Sequence, residues 1–523
     1  MAINSRPGSG DSEDMVHTIF NTLLCAGVFI LASGCQTNKP VKPNIILIVA
    51  DDLGYGDTGP YGQSKIETPG IDRLAAEGMR FTRHYAGSAV CAPSRCVLMT
   101  GMHTGHSQVR GNDEWPERGD VWNYRAMIAD PSLEGQRPLA DSTVTIASVL
   151  RKNGYITGAV GKWGLGAPST GGSPENQGFD FFYGYNCQRM AHTYFPTHLW
   201  RNGKREWLRN DTLAPHTGLD PGVDPADPAS YEKFNLTDYA PELMFSEITG
   251  FIDSCGEKPF FLFWATPIPH LALQAPAEWI ERYHEKFGDE PPYNGNEGYF
   301  PVMYPHATYA AMISYLDDQL TQLINHLKEK DLYENTVIFF TSDNGPAWSA
   351  GTDPVWFGSA GPFRGEEGYG KGSLNEGGIR VPLIVSWPGT IMPGTVTGHA
   401  SAFQDLMPTI CNLAGAEIPA GTDGISFVPA LMGKKQEQHD YLYWEFPEYG
   451  GQQAVIIGKY KALRKGMHKG NLVFELYDLE NDPRETTDIS ADHPEIMSRV
   501  QEIVQKEHQP SDNPRWRFPA IGE

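Results

Sequence analysis

The stretch NIILIVADDLGYGD (44–57) decides the fold class of this chain. It begins with a continuous apolar run, which is typical of a parallel strand buried on both faces. Asp51 and Asp52 follow this run directly. Because ligands of open α/β sheets bind beyond the carboxyl ends of the strands, the two carboxylates are well placed for a hard cation. The alternative is a solvated turn in which one aspartate caps a helix.

Strands and helices alternate downstream of this run. Further strands are predicted from short apolar runs at 156–160, 260–265, 336–341 and 381–386. Apolar residues at three- and four-residue spacing predict helices at 68–77, 142–153 and 308–330. This alternation predicts a doubly wound, mostly parallel sheet flanked by helices, which we place over residues 43–434.

The pattern changes towards the C-terminus and in one internal segment. Antiparallel strands and a terminal helix are predicted at 442–446, 454–464, 471–479 and 494–507. We therefore expect a small α+β domain of antiparallel strands and a helix over residues 435–523. Residues 166–235 are rich in Gly, Pro, Asn and aromatic residues and have little periodicity, so we interpret them as long binding loops.

The composition narrows the class of partner. The 523 residues include 41 Lys plus Arg against 64 Asp plus Glu, a formal net charge of -23. A nucleic-acid binder that neutralises phosphates needs a basic surplus, so that class is disfavoured. An anionic substrate would require a local cluster of cations or a metal. The seven cysteines are too scattered for a disulfide framework or a zinc site.

Residues 1–35 are interpreted as a tag or early start followed by an export signal. The apolar stretch 23–32 is too short to span a bilayer but fits a signal-peptide core. Small residues and then Cys35 follow, which resembles a bacterial lipobox whose cysteine becomes lipid-modified, although Leu31 lies one place early. A simple cleaved signal is the alternative, and Met15 is the expected natural start. Either way we predict an exported bacterial protein, periplasmic or anchored to the outer membrane by a lipid on Cys35.

A second pair of oxygen ligands follows another strand. The strand at 336–341 ends in Ser342, Asp343, Asn344 and Gly345. Two such pairs at the carboxyl ends of parallel strands could meet around one ion. Three carboxylates and an amide, without His or Cys, suit Ca²⁺ or Mg²⁺ better than zinc.

The third element is the run Cys91-Ala92-Pro93-Ser94-Arg95. Proline in the first turn and Gly101 beyond the end predict a short helix that begins at Cys91. The N-terminus of a helix favours nearby negative charge, and the guanidinium of Arg95 suits a tetrahedral oxyanion. The alternative for Cys91 is a small buried apolar residue.

The run 91–95, with Leu98-Met99-Thr100-Gly101, resembles the signature of the type I, formylglycine-dependent sulfatases of the alkaline-phosphatase-like superfamily. Other landmarks of that family occur in order, and the resemblance covers roughly residues 43–490. They are Asp51-Asp52, Gly161-Lys162-Trp163, Pro269-His270, Asp343-Asn344-Gly345, Lys371-Gly372, residues 376–382, Asp423-Gly424 and residues 475–479.

The resemblance implies a role for each matching residue. Residue 91 would be oxidised to formylglycine by a maturation enzyme, and Arg95 would orient it. Ca²⁺ would be held by Asp51, Asp52, Asp343 and Asn344 and would also touch residue 91. Sulfate oxygens would be bound by Lys162 and Lys371, and His270 would protonate the leaving oxygen. A hydroxyl of the hydrated aldehyde would form a covalent sulfo-enzyme, and the second hydroxyl would then expel sulfate.

Two departures from the family pattern are present. The family commonly has Gly-Lys-x-His-Leu-Gly, whereas this chain has Gly164 at the histidine position. Glycine cannot act as a base, so another histidine or another proton acceptor must serve. The stretch 363–371 is also longer than the compact Arg-Gly-Gly-Lys of many relatives, which affects the assignment of Lys371.

The segment 184–194 and Trp200 combine aromatic and polar side chains that suit a sugar. His192, Arg189 and Asn112 are the candidate substrate-binding residues, with a structural loop histidine as the alternative for His192. We expect exo-acting desulfation of sulfated galactose or a related sugar from polysaccharides. One alternative is a phosphoesterase of the same superfamily, which typically has more His and Asp metal ligands and a Ser or Thr nucleophile. Another is a sulfated-glycan-binding lipoprotein without turnover, for which Gly164 is the support.

Overall fold

The computed structural model describes residues 42–523. The predicted signal segment and the lipobox-like Cys35 lie outside the described residues. Within the part that is described, no helix is both long and apolar enough to cross a membrane.

A large sheet forms the centre of the fold. Within residues 42–523 its eleven strands are β1 (Asn44–Ala50), β2 (Met79–Tyr85), β3 (Ile156–Lys162), β4 (Phe181–Tyr185), β5 (His198–Arg201), β6 (Lys204–Trp207), β7 (Phe260–Ala265), β8 (Thr336–Ser342), β9 (Arg380–Ser386), β10 (Thr395–Thr397) and β11 (Ser401–Ala402). Their order is β10-β2-β9-β8-β1-β7-β3-β4-β5-β6, with β11 beside β2. The central strands β8, β1, β7, β3 and β4 are parallel neighbours. β9 is antiparallel to its neighbours β8 and β2, and β5 is antiparallel to β4. The predicted doubly wound, mostly parallel sheet is confirmed.

Helices cover both faces of this sheet, and the last helix of the chain packs on a separate C-terminal sheet. They are α1 (Pro69–Glu77), α2 (Cys91–Thr100), α3 (Tyr124–Ala129), α4 (Ile146–Lys152), α5 (Ala240–Cys255), α6 (Ala277–Phe287), α7 (Pro305–Glu329), α8 (Pro354–Phe357), α9 (Glu376–Ile379), α10 (Leu406–Ala414), α11 (Val428–Leu431) and α12 (Pro494–Glu507). Along β1, Ile46 belongs to the core that contains Leu316 of α7, while Leu47 belongs to the opposite core with Met407 of α10. Burial on both faces explains why the first strand is apolar at every position.

The C-terminal region contains a separate antiparallel sheet. Its strands are β12 (Leu442–Phe446), β13 (Gln452–Ile457), β14 (Tyr460–Lys465) and β15 (Glu475–Asp478), joined in sequence order. One face packs on α12, where Tyr443 and Val455 share a core with Val500. On the other face, the Trp444 indole donates to the carbonyl of Ala86 at 2.9 Å. The boundary at residues 434 and 435 stays a prediction.

Three features of the fold were missed or misjudged from sequence. The predicted loop over 166–235 is wrong in part, because it contains β4, β5 and β6, and β2 was not predicted at all. β5 and the edge strand β6 have only four residues each, too few for an alternating pattern to stand out. The helix expected at 142–153 begins only at Ile146, because the Thr145 hydroxyl accepts from the amide of Ser148 at 3.1 Å and caps it.

Candidate active site

The candidate site lies along the carboxyl ends of four neighbouring strands. Asp343 follows β8, Asp51 follows β1, His270 lies just after β7 and Lys162 ends β3. The strand order β8-β1-β7-β3 therefore brings side chains together that are up to 292 positions apart in the chain. Parallel strands make this convergence possible because their carboxyl ends meet at one edge of the sheet.

The two acidic pairs meet as the sequence predicts. β1 and β8 are in register, with Ala50 opposite Ser342, and the Asp343 amide donates to the carbonyl of Ala50 at 3.0 Å. Asp52 turns with a φ of 68°, and its amide donates to Asp343 Oδ1 at 3.2 Å. All three carboxylates are buried. The turn at Asp52 thus directs a second carboxylate back into the same centre.

Cys91 stands at the N-terminus of α2, as predicted. Val90 is the extended cap residue, and Gly101 ends the helix with a φ of 71°. The Cys91 Sγ lies 3.2 Å from Asp51 Oδ1 and 3.6 Å from Lys162 Nζ. Burial raises the pKa of the Cys91 thiol, and the carboxylate of Asp51 raises it further. The unmodified thiol is therefore held in its protonated, weakly nucleophilic form.

Two buried cations, Arg95 and Lys162, and the partly buried Lys371 balance the three carboxylates. Arg95 donates through Nε and Nη2 to Asp343 Oδ2, both at 3.0 Å. Lys162 donates to Asp51, and Lys371 donates to Asp52 at 2.8 Å. A divalent cation added to this centre would leave a positive excess, which suits an anionic ester.

Lys371 reaches the centre despite the longer stretch that precedes it. Its amide donates to the carbonyl of Pro346 at 2.9 Å, and the amide of Gly372 donates to the carbonyl of Ala89 at 2.9 Å. These two hydrogen bonds hold the loop around Lys371 against the segment that follows β8 and the segment that precedes α2. Burial alone would lower the pKa of Lys371, but Asp52 raises it well above the ordinary value, so the ammonium stays charged.

His270 is held in a defined tautomer. Its Nδ1 lies 2.5 Å from the carbonyl oxygen of Leu271, so Nδ1 carries the proton and donates. Nε2 faces the centre, 3.8 Å from Asp52 Oδ2. Burial lowers the pKa of His270 well below its ordinary value, and Lys162 lowers it further, so the ring is neutral.

The residues of this centre fit a hard cation. Asn344 donates its amide hydrogen to Asp52 Oδ1 at 2.8 Å, while its Oδ1 is buried and has no hydrogen-bond partner within residues 42–523. A buried amide oxygen without a partner is costly unless a cation takes it. Ligand atoms of Asp51, Asp52, Cys91 and His270 also lie within 4.8 Å of one another. Carboxylate and amide oxygens are the donors that Ca²⁺ and Mg²⁺ prefer.

Amide side chains fill the space beside Gly164, where the family commonly has histidine. Gly164 has a φ of 75°, and a Cβ there would lie 3.1 Å from Gln188 Cγ and 3.2 Å from Gln136 Oε1. Gln188 donates to Asn112 Oδ1 at 3.1 Å, and this oxygen also accepts from the Ala92 amide at 3.1 Å. Asn112 is therefore anchored beside residue 91.

We expect Gly164→Ala to destabilise the protein by about 1–2 kcal/mol, because alanine must adopt a left-handed backbone there and press on Gln188. Thermal unfolding of the purified variant measures this. The matched control is Gly218→Ala, since Gly218 has no such backbone and open space around its Cα. Equal melting temperatures for the two variants would contradict the expectation.

The candidate sugar-binding residues lie in different surroundings. The His192 ring stacks on His270 with centroids 5.4 Å apart, and its Nδ1 lies 3.2 Å from His216 Nε2. Tyr299 packs on His192 at 5.0 Å. Sequence reasoning missed His216 and Tyr299, because neither belongs to a motif or a periodic segment.

Arg189 is engaged by the protein itself. Its guanidinium donates to the carbonyls of Val121 and Trp122 and lies 4.7 Å from the Trp122 ring centroid. These contacts tie the loop after β4 to the segment before α3. A contact of Arg189, His192 or Asn112 with a sugar stays a prediction.

The fold and this centre define a hydrolase of the alkaline-phosphatase-like superfamily, with its site at the strand ends. The profile of the family described as Sulfatase matches residues 43–416, so the chain belongs to the Sulfatase family. It is a sulfuric ester hydrolase. A second profile, described as N-sulphoglucosamine sulphohydrolase, C-terminal, matches residues 365–510.

Individual relatives agree with this membership. The chain is 32% identical to arylsulfatase A of Homo sapiens over 90% of this chain and 89% of that protein. It is 30% identical to N-acetylgalactosamine-6-sulfatase of Canis lupus familiaris over 81% of this chain and 72% of that protein. Among solved structures, Ps i-CgsB in complex with k-i-k-neocarrahexaose has a TM-score of 0.70 and 29% identity, covering 91% of this chain and 95% of that chain.

Proposed function

We propose that this chain is a carbohydrate sulfatase that uses a formylglycine derived from Cys91 and a Ca²⁺ ion, with Mg²⁺ as the second choice. The observation that carries the proposal is the position of Cys91 at a buried helix N-terminus between Asp51 and Lys162. Its thiol is held protonated there, so a modified residue is the more suitable nucleophile. A hydrated formylglycine supplies a hydroxyl nucleophile.

The cation would be held by oxygens of Asp51, Asp52, Asp343 and Asn344, the candidate metal ligands. When bound, it supplies Lewis-acid polarisation of a sulfate oxygen and a template for the ester. Lys162 and Lys371 donate to the sulfate oxygens, because both ammonium groups point into the centre. Arg95 holds Asp343 and borders residue 91, which fixes the geometry before substrate arrives.

His270 supplies the proton for the leaving alcohol oxygen. Its Nδ1 proton is committed to the carbonyl of Leu271, so the proton that moves is the one on Nε2, which faces the centre. Before substrate binds, burial and then the nearby charge of Lys162 lower the pKa of His270, so the ring is neutral. A bound anionic sulfate offsets that repulsion and allows the ring to carry the second proton.

We expect His270→Ala to lower kcat on a sulfated sugar by about 10²–10⁴-fold, because the alcohol then leaves without a proton. An aryl sulfate with a good leaving group needs little protonation, so 4-nitrophenyl sulfate turnover should fall much less. The measurement is the ratio of the two losses in steady-state kinetics. His326→Ala is the control, since His326 pairs with Asp253 far from the strand ends. Equal losses on both substrates would contradict the assignment.

The substrate class is proposed from the similar proteins and from the polar residues that surround the candidate site. N-acetylgalactosamine-6-sulfatases and a structure with a bound neocarrahexaose are among the similar proteins. Of these polar residues, His192 stacks on His270, and Asn112 accepts from the amide of Ala92, next to residue 91. These features support exo-acting removal of sulfate from galactose or a related sugar of a polysaccharide. Export, with a possible lipid anchor on Cys35, is proposed from the sequence alone.

The decisive experiment compares sulfate and phosphate release. Protein produced together with a formylglycine-generating enzyme is assayed on 4-nitrophenyl sulfate, 4-nitrophenyl phosphate and a panel of position-defined sulfated sugars. The proposal expects sulfate release from the aryl ester and from at least one sugar. Phosphate release that exceeds sulfate release would favour the phosphoesterase alternative, and tight sugar binding without any turnover would favour the binding-protein alternative.

A further inference from the structure

A cavity opens beside the candidate site on the side of Lys371. Its volume is about 450 Å³, within the range of roughly 300–1,000 Å³ that is usual for small-molecule sites. Lys371, which contacts Asp52 in the centre, is one of its lining residues. Lys371 therefore borders both this cavity and the centre where the sulfate group would bind.

The C-terminal sheet contributes a further cation, Lys465, to the lining of this cavity. Lys465 ends β14, and its ammonium donates to Ser373 Oγ at 3.2 Å and lies 4.8 Å from the Tyr369 ring centroid. Among residues 42–523 Lys465 makes no ion pair, and Glu485 is the carboxylate with the largest effect on its pKa. Burial lowers the pKa of Lys465 to about 8, which still leaves the ammonium mostly charged at neutral pH. A partly buried cation of this kind favours an anion that enters the cavity.

Two aromatic rings give the cavity the character of a sugar site. Trp348 is 36% exposed and Tyr449 is 68% exposed, and both line the cavity. Exposed aromatic faces offer an apolar surface on which a sugar ring can stack. The acidic residue Glu367 also lines the cavity, and it is exposed to solvent.

We propose that this cavity binds the sugar next to the one that is desulfated and that Lys465 recognises a second sulfate group on it. The inference rests on the proposed function and narrows its substrate class to multiply sulfated oligosaccharides. A small aryl sulfate fills only the sulfate site and does not reach Lys465.

The test uses two disaccharides as competitors of 4-nitrophenyl sulfate turnover by the full, matured chain. Monosulfated κ-type neocarrabiose carries its sulfate on galactose, and ι-type neocarrabiose carries a second sulfate on the neighbouring ring. We expect the disulfated sugar to inhibit at least about tenfold more strongly, because a charge-assisted hydrogen bond contributes about that much. Lys465→Ala should remove this preference. Its turnover of 4-nitrophenyl sulfate should stay within about twofold of that of the matured chain without the substitution.

Two variants serve as controls. Lys465→Arg keeps the charge and should keep most of the preference. Lys459→Ala removes a lysine of the same hairpin that pairs with Asp478, and it should change nothing. Equal inhibition by the two disaccharides, including none by either, or a preference that survives Lys465→Ala, would overturn the inference. Absence of 4-nitrophenyl sulfate turnover would instead refute the proposed function, and calorimetric binding of the same two sugars would still test the cavity.

Discussion

Cys91→Ser is expected to lower sulfate ester hydrolysis by at least about 10³-fold in a host whose maturation enzyme oxidises only cysteine. The serine hydroxyl stands where the modified residue should stand, but it is not an aldehyde and cannot form a hydrate. Ser94, the other nucleophilic side chain in the first turn of α2, accepts from the Gly87 amide at 3.0 Å. Steady-state turnover of 4-nitrophenyl sulfate measures the loss.

The matched control for this prediction is Cys96→Ser, the same exchange in the same helix. Cys96 is buried in the core on the far side of α2 and does not face the carboxylates. It should retain activity. Mass analysis of the peptide that contains residue 91 reports whether the thiol has become an aldehyde. Full activity of Cys91→Ser would contradict the formylglycine mechanism.

Asp52→Asn is expected to remove the bound cation and to lower activity by at least about 10²-fold. The substitution deletes one negative charge from the proposed ligand set, which weakens a site for a hard cation. Asparagine tolerates the left-handed backbone of this position, where φ is 68°, so the loss should not come from strain. Elemental analysis of the purified proteins measures the metal content, with one Ca²⁺ or Mg²⁺ per unmodified chain expected.

Asp57→Asn provides the control for the metal prediction. Asp57 is also buried, but its carboxylate accepts from the Gly54 amide and the Tyr309 hydroxyl, both at 2.7 Å, and not from the centre. This variant should keep the ion and most of the activity. Unchanged metal content in Asp52→Asn would contradict the ligand assignment. Two tightly bound zinc ions per chain would place the protein with the phosphoesterases.

The two predictions have a common electrostatic origin. The centre holds three carboxylates and three cations that neutralise one another in a buried space. Burial and, after it, the neighbouring Asp51 raise the pKa of Asp343 to about 7, although Arg95 acts in the opposite direction. A divalent cation would relieve this repulsion between carboxylates and would leave Lys162 and Lys371 available to the sulfate. Replacing either the nucleophile or a metal ligand therefore disturbs the balance of charge in the same centre.

Much of the large sheet was predictable because its central strands are buried on both faces. That burial makes β1, β7 and β8 continuous apolar runs, and the polar residues that follow them stand out as candidate ligands. β5 and the edge strand β6 have only four residues each, and β6 is largely exposed, so their sequence carries no such pattern. β2 was missed because polar residues interrupt its apolar positions.

The sequence by itself determined the fold class, the order of the motifs and which residues are the candidates for the active site. These properties depend on local runs and on strand ends, which can be read along the chain. Only the tertiary structure decided that Gln188 and Gln136 fill the space beside Gly164, that His192 stacks on His270, and that Lys465 reaches the cavity of Lys371. Such contacts join segments far apart in the chain, and they follow from how helices and the second sheet pack rather than from any local pattern.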